Sequence, residues 1–264
     1  MKIAFLGTPD FVQPIKEELK KHFTLVDNLK DAELGVIAAY GHILTKDELN
    51  APKFGCINIH PSLLPKYRGP SPIQSAILNG DTQTGITIIK MDEEIDHGPI
   101  LYQSTLELSD SDNFDTLSKK MFLKSAQVLP QLIKDFIEGK ITPRAQDHTQ
   151  ASFCERQSRE SGYFDINTPP SSENLDRMIR AYYPWPGVWT KWNNKIVKFI
   201  PNVILRPKAE GSLANASPTF VGDSSLIVQN DKYLLQMEGK KAISFKDFLN
   251  GYPDFPVTQL QTLE

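Results

Sequence analysis

An amide, an imidazole and a carboxylate near the ends of predicted strands could together perform acid–base chemistry. Asn58 and His60 are two residues apart in the apolar run Cys56–His60, which has the pattern of a buried strand. Side chains two apart leave the same face of a strand, so both polar groups point into one pocket. Pro61 ends the strand, and in an open α/β sheet the carboxyl ends of strands border the ligand crevice. A lone histidine there could be a hydrogen-bonded structural residue, but the nearby asparagine favours a site.

The carboxylate is Asp96, in a turn that follows the predicted strand 85–91. Gly98 and Pro99 in this turn would hold the side chain near the mouth of the sheet, within reach of His60. Taken alone, Asp96 could be an ordinary turn aspartate that bonds nearby backbone. With all three groups present, one can remove a proton, one can stabilise an oxyanion and one can hold the others in orientation. This combination suits acyl transfer to an amine.

The segment between the strand and this turn is a loop over residues 62–69 that is too apolar for a plain solvent-facing turn. We interpret it as the cover of a flat ligand. The alternative is a loop that packs onto its own domain.

The elements that must position these residues alternate between strands and helices. Apolar strand-like runs occur at residues 1–6, 23–26, 34–39, 56–60 and 85–91, and helical patterns occur at 11–19, 71–78 and 113–138. This alternation predicts an α/β fold with an open sheet. After a polar connecting segment at 142–172, a short helix at 174–181 and strands at 188–192, 196–200, 225–228 and 233–237 predict a small β-barrel or open sheet. We therefore expect domains at 1–150 and 173–264, joined by a linker at 151–172.

Composition agrees with two soluble domains, because 264 residues with 40% apolar side chains and a net charge of -3 can form two cores. Residues 1–169 carry 18 basic and 23 acidic side chains, a balance of -5, and residues 170–264 carry 11 and 9, a balance of +2. Any nucleic-acid contact is therefore expected in the C-terminal part.

Several classes of site are excluded by the motifs. The cysteines Cys56 and Cys154 show no Cys-x-x-Cys spacing, and no signal-peptide pattern or long apolar run occurs, so we expect a cytoplasmic protein without membrane contact. No metal-ligand spacing is present, so no metal is expected. Residues 7–10 lack the glycines of a dinucleotide site, and without a G-x-S-x-G elbow Ser62 is a poor nucleophile.

The run NIHPSLLPKYRG at 58–69, followed by DHG at 96–98, resembles the signature of folate-dependent formyltransferases. MKIAFLGTPDF at 1–11, AYG at 39–41, PIQ at 72–74, RAYYPWPG at 180–187 and QMEGKKAISFKDFLNG at 236–251 resemble the branch of that family that formylates methionyl-tRNA. The resemblance spans nearly the whole chain.

The resemblance implies a Rossmann-like, mostly parallel sheet joined to a small OB-like β-barrel, with 10-formyltetrahydrofolate as the formyl donor. It implies that the acceptor is initiator methionyl-tRNA, that the barrel helps to hold the tRNA, and that Asn58, His60 and Asp96 are catalytic. We expect a monomer. The residues that the resemblance assigns to the folate site are Ser62, Leu63, Leu64 and Pro65.

Two features depart from the family pattern. Only residues 26–33 separate the second and third predicted strands, where the family has a longer segment that includes a basic loop for the tRNA acceptor end. Residues 153–159 replace a pattern that usually bears lysine, and Arg156 and Arg159 would supply the charge.

These departures leave two alternatives open: an amino-sugar-nucleotide N-formyltransferase, and an RNA-binding relative without turnover. The intact trio of Asn58, His60 and Asp96 argues against the second.

Overall fold

The computed structural model describes residues 1–202 and 232–256. Contacts divide the chain into two units, Met1–Gln157 and Ser158–Glu264. In the described residues, no helix is long and apolar enough to cross a membrane.

The first unit is built on a six-stranded sheet. Its strands are β1 (Lys2–Leu6), β2 (Thr24–Val26), β3 (Leu34–Ile37), β4 (Cys56–His60), β5 (Gln83–Lys90) and β6 (Ile100–Glu107). Their spatial order is β2-β1-β3-β4-β5-β6, in which the first four strands are parallel and β5 and β6 are antiparallel additions. The predicted α/β class with a mostly parallel sheet is confirmed.

Four helices accompany this sheet: α1 (Gln13–His22), α2 (Lys46–Asn50), α3 (Pro72–Leu78) and α4 (Phe114–Ile137). The long helix α4 begins at a capping box, in which the Asn113 side chain accepts from the Thr116 amide. It packs against α1, and the ring of Phe11 stacks on that of Phe122 with centroids 5.2 Å apart. α1 and α4 therefore form one covering layer of the sheet.

The connection from β2 to β3 is unusually short. Parallel strands normally need a crossover of about a dozen residues or more, often a helix. Here a single 3-10 turn at Leu29–Asp31 makes the crossing, capped by the Asn28 side chain, which accepts from the Asp31 amide. Leu29 and Ala32 are buried in a cluster with Ala4 of β1. The short segment thus covers the sheet without a helix.

The second unit contains α5 (Ser172–Tyr182), β7 (Val188–Trp192), β8 (Lys195–Pro201), β9 (Tyr233–Met237), β10 (Ile243–Ser244) and α6 (Phe245–Gly251). The strands form an antiparallel sheet in the order β10-β9-β8-β7. Phe248 of α6 is fully buried and packs on Phe255. The β architecture predicted for the C-terminal part is confirmed in the described residues; the predicted strand at 225–228 lies outside them.

Candidate active site

Strand β4 carries two of the predicted catalytic residues in the middle of the sheet. It pairs with β3 on one side and β5 on the other. Ile57 and Ile59 are fully buried, and Asn58 and His60 alternate with them. As the sequence indicated, the two polar side chains share one face.

The turn between β5 and β6 brings Asp96 to the same place. Because β5 runs antiparallel to β4, its last residue, Lys90, lies opposite Ile57, and the chain must turn back to reach the site. The Asn58 side-chain amide donates to Asp96 Oδ1 at 3.0 Å, and His60 Nδ1 lies 3.4 Å from Asp96 Oδ2. The three predicted residues therefore lie together.

Asp96 adopts a strained backbone conformation and is held on both carboxylate oxygens. Its φ is +49°, in the left-handed region that most residues avoid. Besides the bond from Asn58, Oδ2 accepts from the Gly69 amide at 2.8 Å. These contacts fix the orientation of the carboxylate.

The hydrogen bonds of His60 determine which ring nitrogen carries a proton. Nε2 lies 2.8 Å from the carbonyl oxygen of Tyr67, which can only accept, so Nε2 is protonated. Nδ1 then faces Asp96 Oδ2 at 3.4 Å. Histidine and aspartate thus form a contacting pair on this face of β4.

The carbonyl of Tyr67 is itself held in place by its side chain. Tyr67 has a φ of +59°, which is rare for a bulky residue. Its hydroxyl donates to Asp81 Oδ2 at 2.9 Å, and Lys66 Nζ binds the same carboxylate. Anchoring of Tyr67 by Asp81 keeps the acceptor for His60 Nε2 in position.

The four residues expected to line a folate site divide into two pairs. Ser62 is fully buried and donates to the Lys66 carbonyl at 2.6 Å, and Leu64 is buried in a cluster with Ile89 and Ile100. Leu63 and Pro65 remain partly exposed. The first pair anchors the loop, and the second pair can contact a ligand.

Three groups at the site carried no signal in the sequence: the carbonyl of Tyr67, the amide of Gly69 and the side chain of Gln146. Every residue has a backbone carbonyl, and every residue except proline a backbone amide N–H, so the first two groups cannot be recognised from residue types. Gln146 lies in the connecting segment, which has no periodicity, yet its side chain donates to the carbonyls of Asp96 and Gly98.

Neither cysteine is suited to nucleophilic catalysis. Burial raises the pKa of the Cys56 thiol to about 12, and burial also raises the pKa of Cys154. Both thiols stay protonated near neutral pH. Within residues 1–202 and 232–256, no cluster of three His, Cys, Asp or Glu could hold a metal ion.

Models of known protein families match both parts of the chain. The formyl transferase family matches residues 12–133, and the C-terminal domain of formyl transferases matches residues 164–253. These matches cover Asn58, His60 and Asp96, strands β2 to β6 of the first sheet and the strands of the second sheet.

Two curated relatives illustrate the similarity. A methionyl-tRNA formyltransferase of Roseiflexus sp. (strain RS-1) is 45% identical over 64% of this chain, which spans about half (51%) of that relative. One from Halalkalibacterium halodurans is 33% identical, with 95% of each chain covered. That alignment extends over 305 residues, more than the 264 of this chain, so the relative has stretches without a counterpart here.

Solved structures share the fold. A methionyl-tRNA formyltransferase from Clostridium thermocellum has a TM-score of 0.62 at 19% identity, covering 92% of this chain and 99% of the other. An N-formyltransferase from Helicobacter canadensis, in complex with folinic acid and dTDP-3-aminofucose, has a TM-score of 0.60 at 19% identity, covering 76% and 88%.

Proposed function

The chain belongs to the methionyl-tRNA formyltransferase family, and from this membership and the geometry of the site we propose that it transfers a formyl group from 10-formyltetrahydrofolate to the amino group of methionyl-tRNA. The observation that carries the proposal is the contact of Asp96 with both Asn58 and His60. An amide donor, an imidazole and a carboxylate within one hydrogen-bonded cluster suit attack of an amine on a formyl carbon.

The reaction requires one proton to move. The amine nitrogen attacks the formyl carbon, the carbonyl oxygen becomes an oxyanion, and the bond from the carbon to N10 of the folate then breaks. The proton lost by the amine ends on N10. The protein must therefore accept a proton, return it, and stabilise the oxyanion in between.

Exposure and hydrogen bonding suggest how these roles are divided. The side chain of His60 is 4% exposed and that of Asp96 is 12% exposed, and both ring nitrogens of His60 face protein groups. We assign proton acceptance to Asp96 and orientation of its carboxylate to His60. One N–H of the Asn58 side-chain amide donates to Asp96, and we assign the second N–H to the oxyanion.

The folate donor would rest on the loop at 62–69. Two backbone carbonyls on the inner side of the loop accept hydrogen bonds from the protein. Thr87 Oγ1 donates to the Ser62 carbonyl at 2.6 Å, and Gln103 donates to the Leu64 carbonyl at 2.9 Å. This leaves the partly exposed Leu63 and Pro65 to contact a flat ring. The folinic acid complex of the Helicobacter canadensis protein supports a folate ligand for this fold.

The acceptor distinguishes the proposal from its nearest rival. We expect formylation of charged initiator tRNA when the chain is incubated with 10-formyltetrahydrofolate, and little reaction with amino-sugar nucleotides. The second unit, with its slight excess of basic side chains, is assigned to hold the tRNA. Formylation of an amino-sugar nucleotide, without detectable binding of charged tRNA at low salt, would replace the proposal with the sugar-nucleotide activity.

Folate binding should survive removal of the second unit, because the trio and the loop at 62–69 all lie in Met1–Gln157. We expect a fragment of residues 1–157 to bind a stable folate analogue with an affinity within about threefold of the full chain, which corresponds to less than about 1 kcal/mol. Isothermal calorimetry measures this. Circular dichroism must first establish that the fragment is folded; a folded fragment without affinity would contradict the assignment.

A further inference from the structure

Gln146 contacts the turn that carries Asp96 through its side-chain amide. Its Nε2 donates to the carbonyl of Asp96 at 2.9 Å and to the carbonyl of Gly98 at 2.7 Å. Its Oε1 accepts from Arg68 Nη2 at 2.7 Å. Gln146 is 6% exposed, so both N–H donors and one of the two lone pairs of its amide are satisfied in a nearly dry environment.

The partners of Gln146 determine which way its amide points. Carbonyl oxygens only accept and a guanidinium only donates, so Nε2 must face the turn and Oε1 must face Arg68. An amide is the side-chain group that offers two donors and an acceptor in one plane. Glutamate has the same shape but would leave both carbonyls without a donor.

Arg68 orients this amide from the other side. The residue is 4% exposed, and its Nη2 also bonds His148 Nδ1 at 2.8 Å. Its Nε is buried without a hydrogen-bond partner, the one such side-chain nitrogen or oxygen found in the described part of the chain. A buried guanidinium nitrogen without a partner destabilises the fold, so Arg68 is better explained by a role in positioning Gln146 than by stability alone.

The backbone around Gln146 joins the two loops that form the site. On one side, Arg144 exchanges both backbone hydrogen bonds with Ile100, next to the Asp96 turn. On the other, the Ser152 amide donates to the Pro65 carbonyl, and the Arg68 amide donates to the Ser152 carbonyl. Residues 144–152 therefore form a strap across both loops.

We propose that Gln146 is a positioning residue that holds Asp96 against Asn58 and His60. The inference rests on the proposed function, because it takes Asp96 as the proton acceptor. Small displacements of a catalytic group can reduce turnover by as much as about a hundredfold. Loss of the two bonds from Gln146 would free the strained turn to move Asp96 away from β4.

The test compares Gln146→Glu with Gln150→Glu, the same change at an exposed glutamine of the strap whose side chain bonds Asp147. We expect Gln146→Glu to lower kcat at least about tenfold while KM for the folate donor changes less than about twofold. Gln150→Glu should retain parental kcat. Gln146→Met, which removes the bonds without adding charge, should reproduce the loss if the glutamate variant folds poorly.

A double variant separates positioning from general support. If Gln146 acts through Asp96, Gln146→Glu should cause little further loss of residual kcat in an Asp96→Asn background. Parental kcat in both Gln146 variants, or an equal additional loss in that background, would overturn the inference. A wild-type chain that formylates no amine would instead refute the proposed function on which the inference rests.

Discussion

Replacing Asp96 with asparagine should lower kcat for formyl transfer by at least about a hundredfold, the usual contribution of a positioned acid–base group. The change keeps the shape of the side chain and removes the proton acceptor; Asn58 and Gly69 donate to different carboxylate oxygens, so one of these two hydrogen bonds is kept. His60→Ala should cause a comparable loss, since it removes the partner of the carboxylate. Steady-state rates with saturating 10-formyltetrahydrofolate and charged initiator tRNA measure both effects.

Asp92→Asn is the matched control, because Asp92 lies in the same connection between β5 and β6 and, in the part of the chain that the structure describes, its side chain bonds nearby groups of that connection, chiefly His97 Nδ1 at 2.7 Å. It should change kcat by less than about twofold, as is usual for substitutions away from a site. Thermal unfolding of Asp96→Asn and Asp92→Asn should resemble that of the parent, and His60→Ala should remain folded. If Asp96→Asn retained near-parental kcat, another group must accept the proton.

The fold was predictable where burial is complete and poorly predictable where it is partial. Strand β4 was predicted to the residue, because its apolar run is bounded by Gly55 and Pro61. Strand β6 was missed, since only its first two residues are buried and the rest are partly or fully exposed, so that it reads as a polar segment after Leu101. The direction of β5 was also beyond sequence pattern, because a buried strand looks alike whether it is parallel or antiparallel.

The site was predictable as a set of side chains but not as a hydrogen-bonded network. Two-residue spacing on β4 placed Asn58 and His60 on one face, and the structure agrees. The acceptor for His60 is a backbone carbonyl, which leaves no trace in residue types. Gln146 is 50 residues from Asp96 in sequence, so only the folded chain brings them together. The catalytic and folate-binding roles stay predictions that the variants above test.

Gly98→Ala should be the most damaging change that adds a single methyl group near the site. A Cβ at Gly98 would lie 1.8 Å from the carbonyl oxygen of Lys90, far inside contact distance, and that atom belongs to the backbone of β5. The turn must therefore move. The cost of such overpacking is about 1–3 kcal/mol of unfolding free energy. Because Gln146 binds the Gly98 carbonyl, displacement of the turn should also carry Asp96 away from the trio.

We therefore expect Gly98→Ala to lower kcat at least about a hundredfold, because displacement of a catalytic group by about 1 Å is enough to do so. Gly251→Ala is the matched control, since a Cβ there meets no atom within 4 Å and its backbone is not in the left-handed region. Denaturant unfolding and formyl-transfer rates on both variants give the comparison. A Gly98→Ala protein that is folded and fully active would mean that the position of Asp96 does not depend on the close approach of this turn to β5.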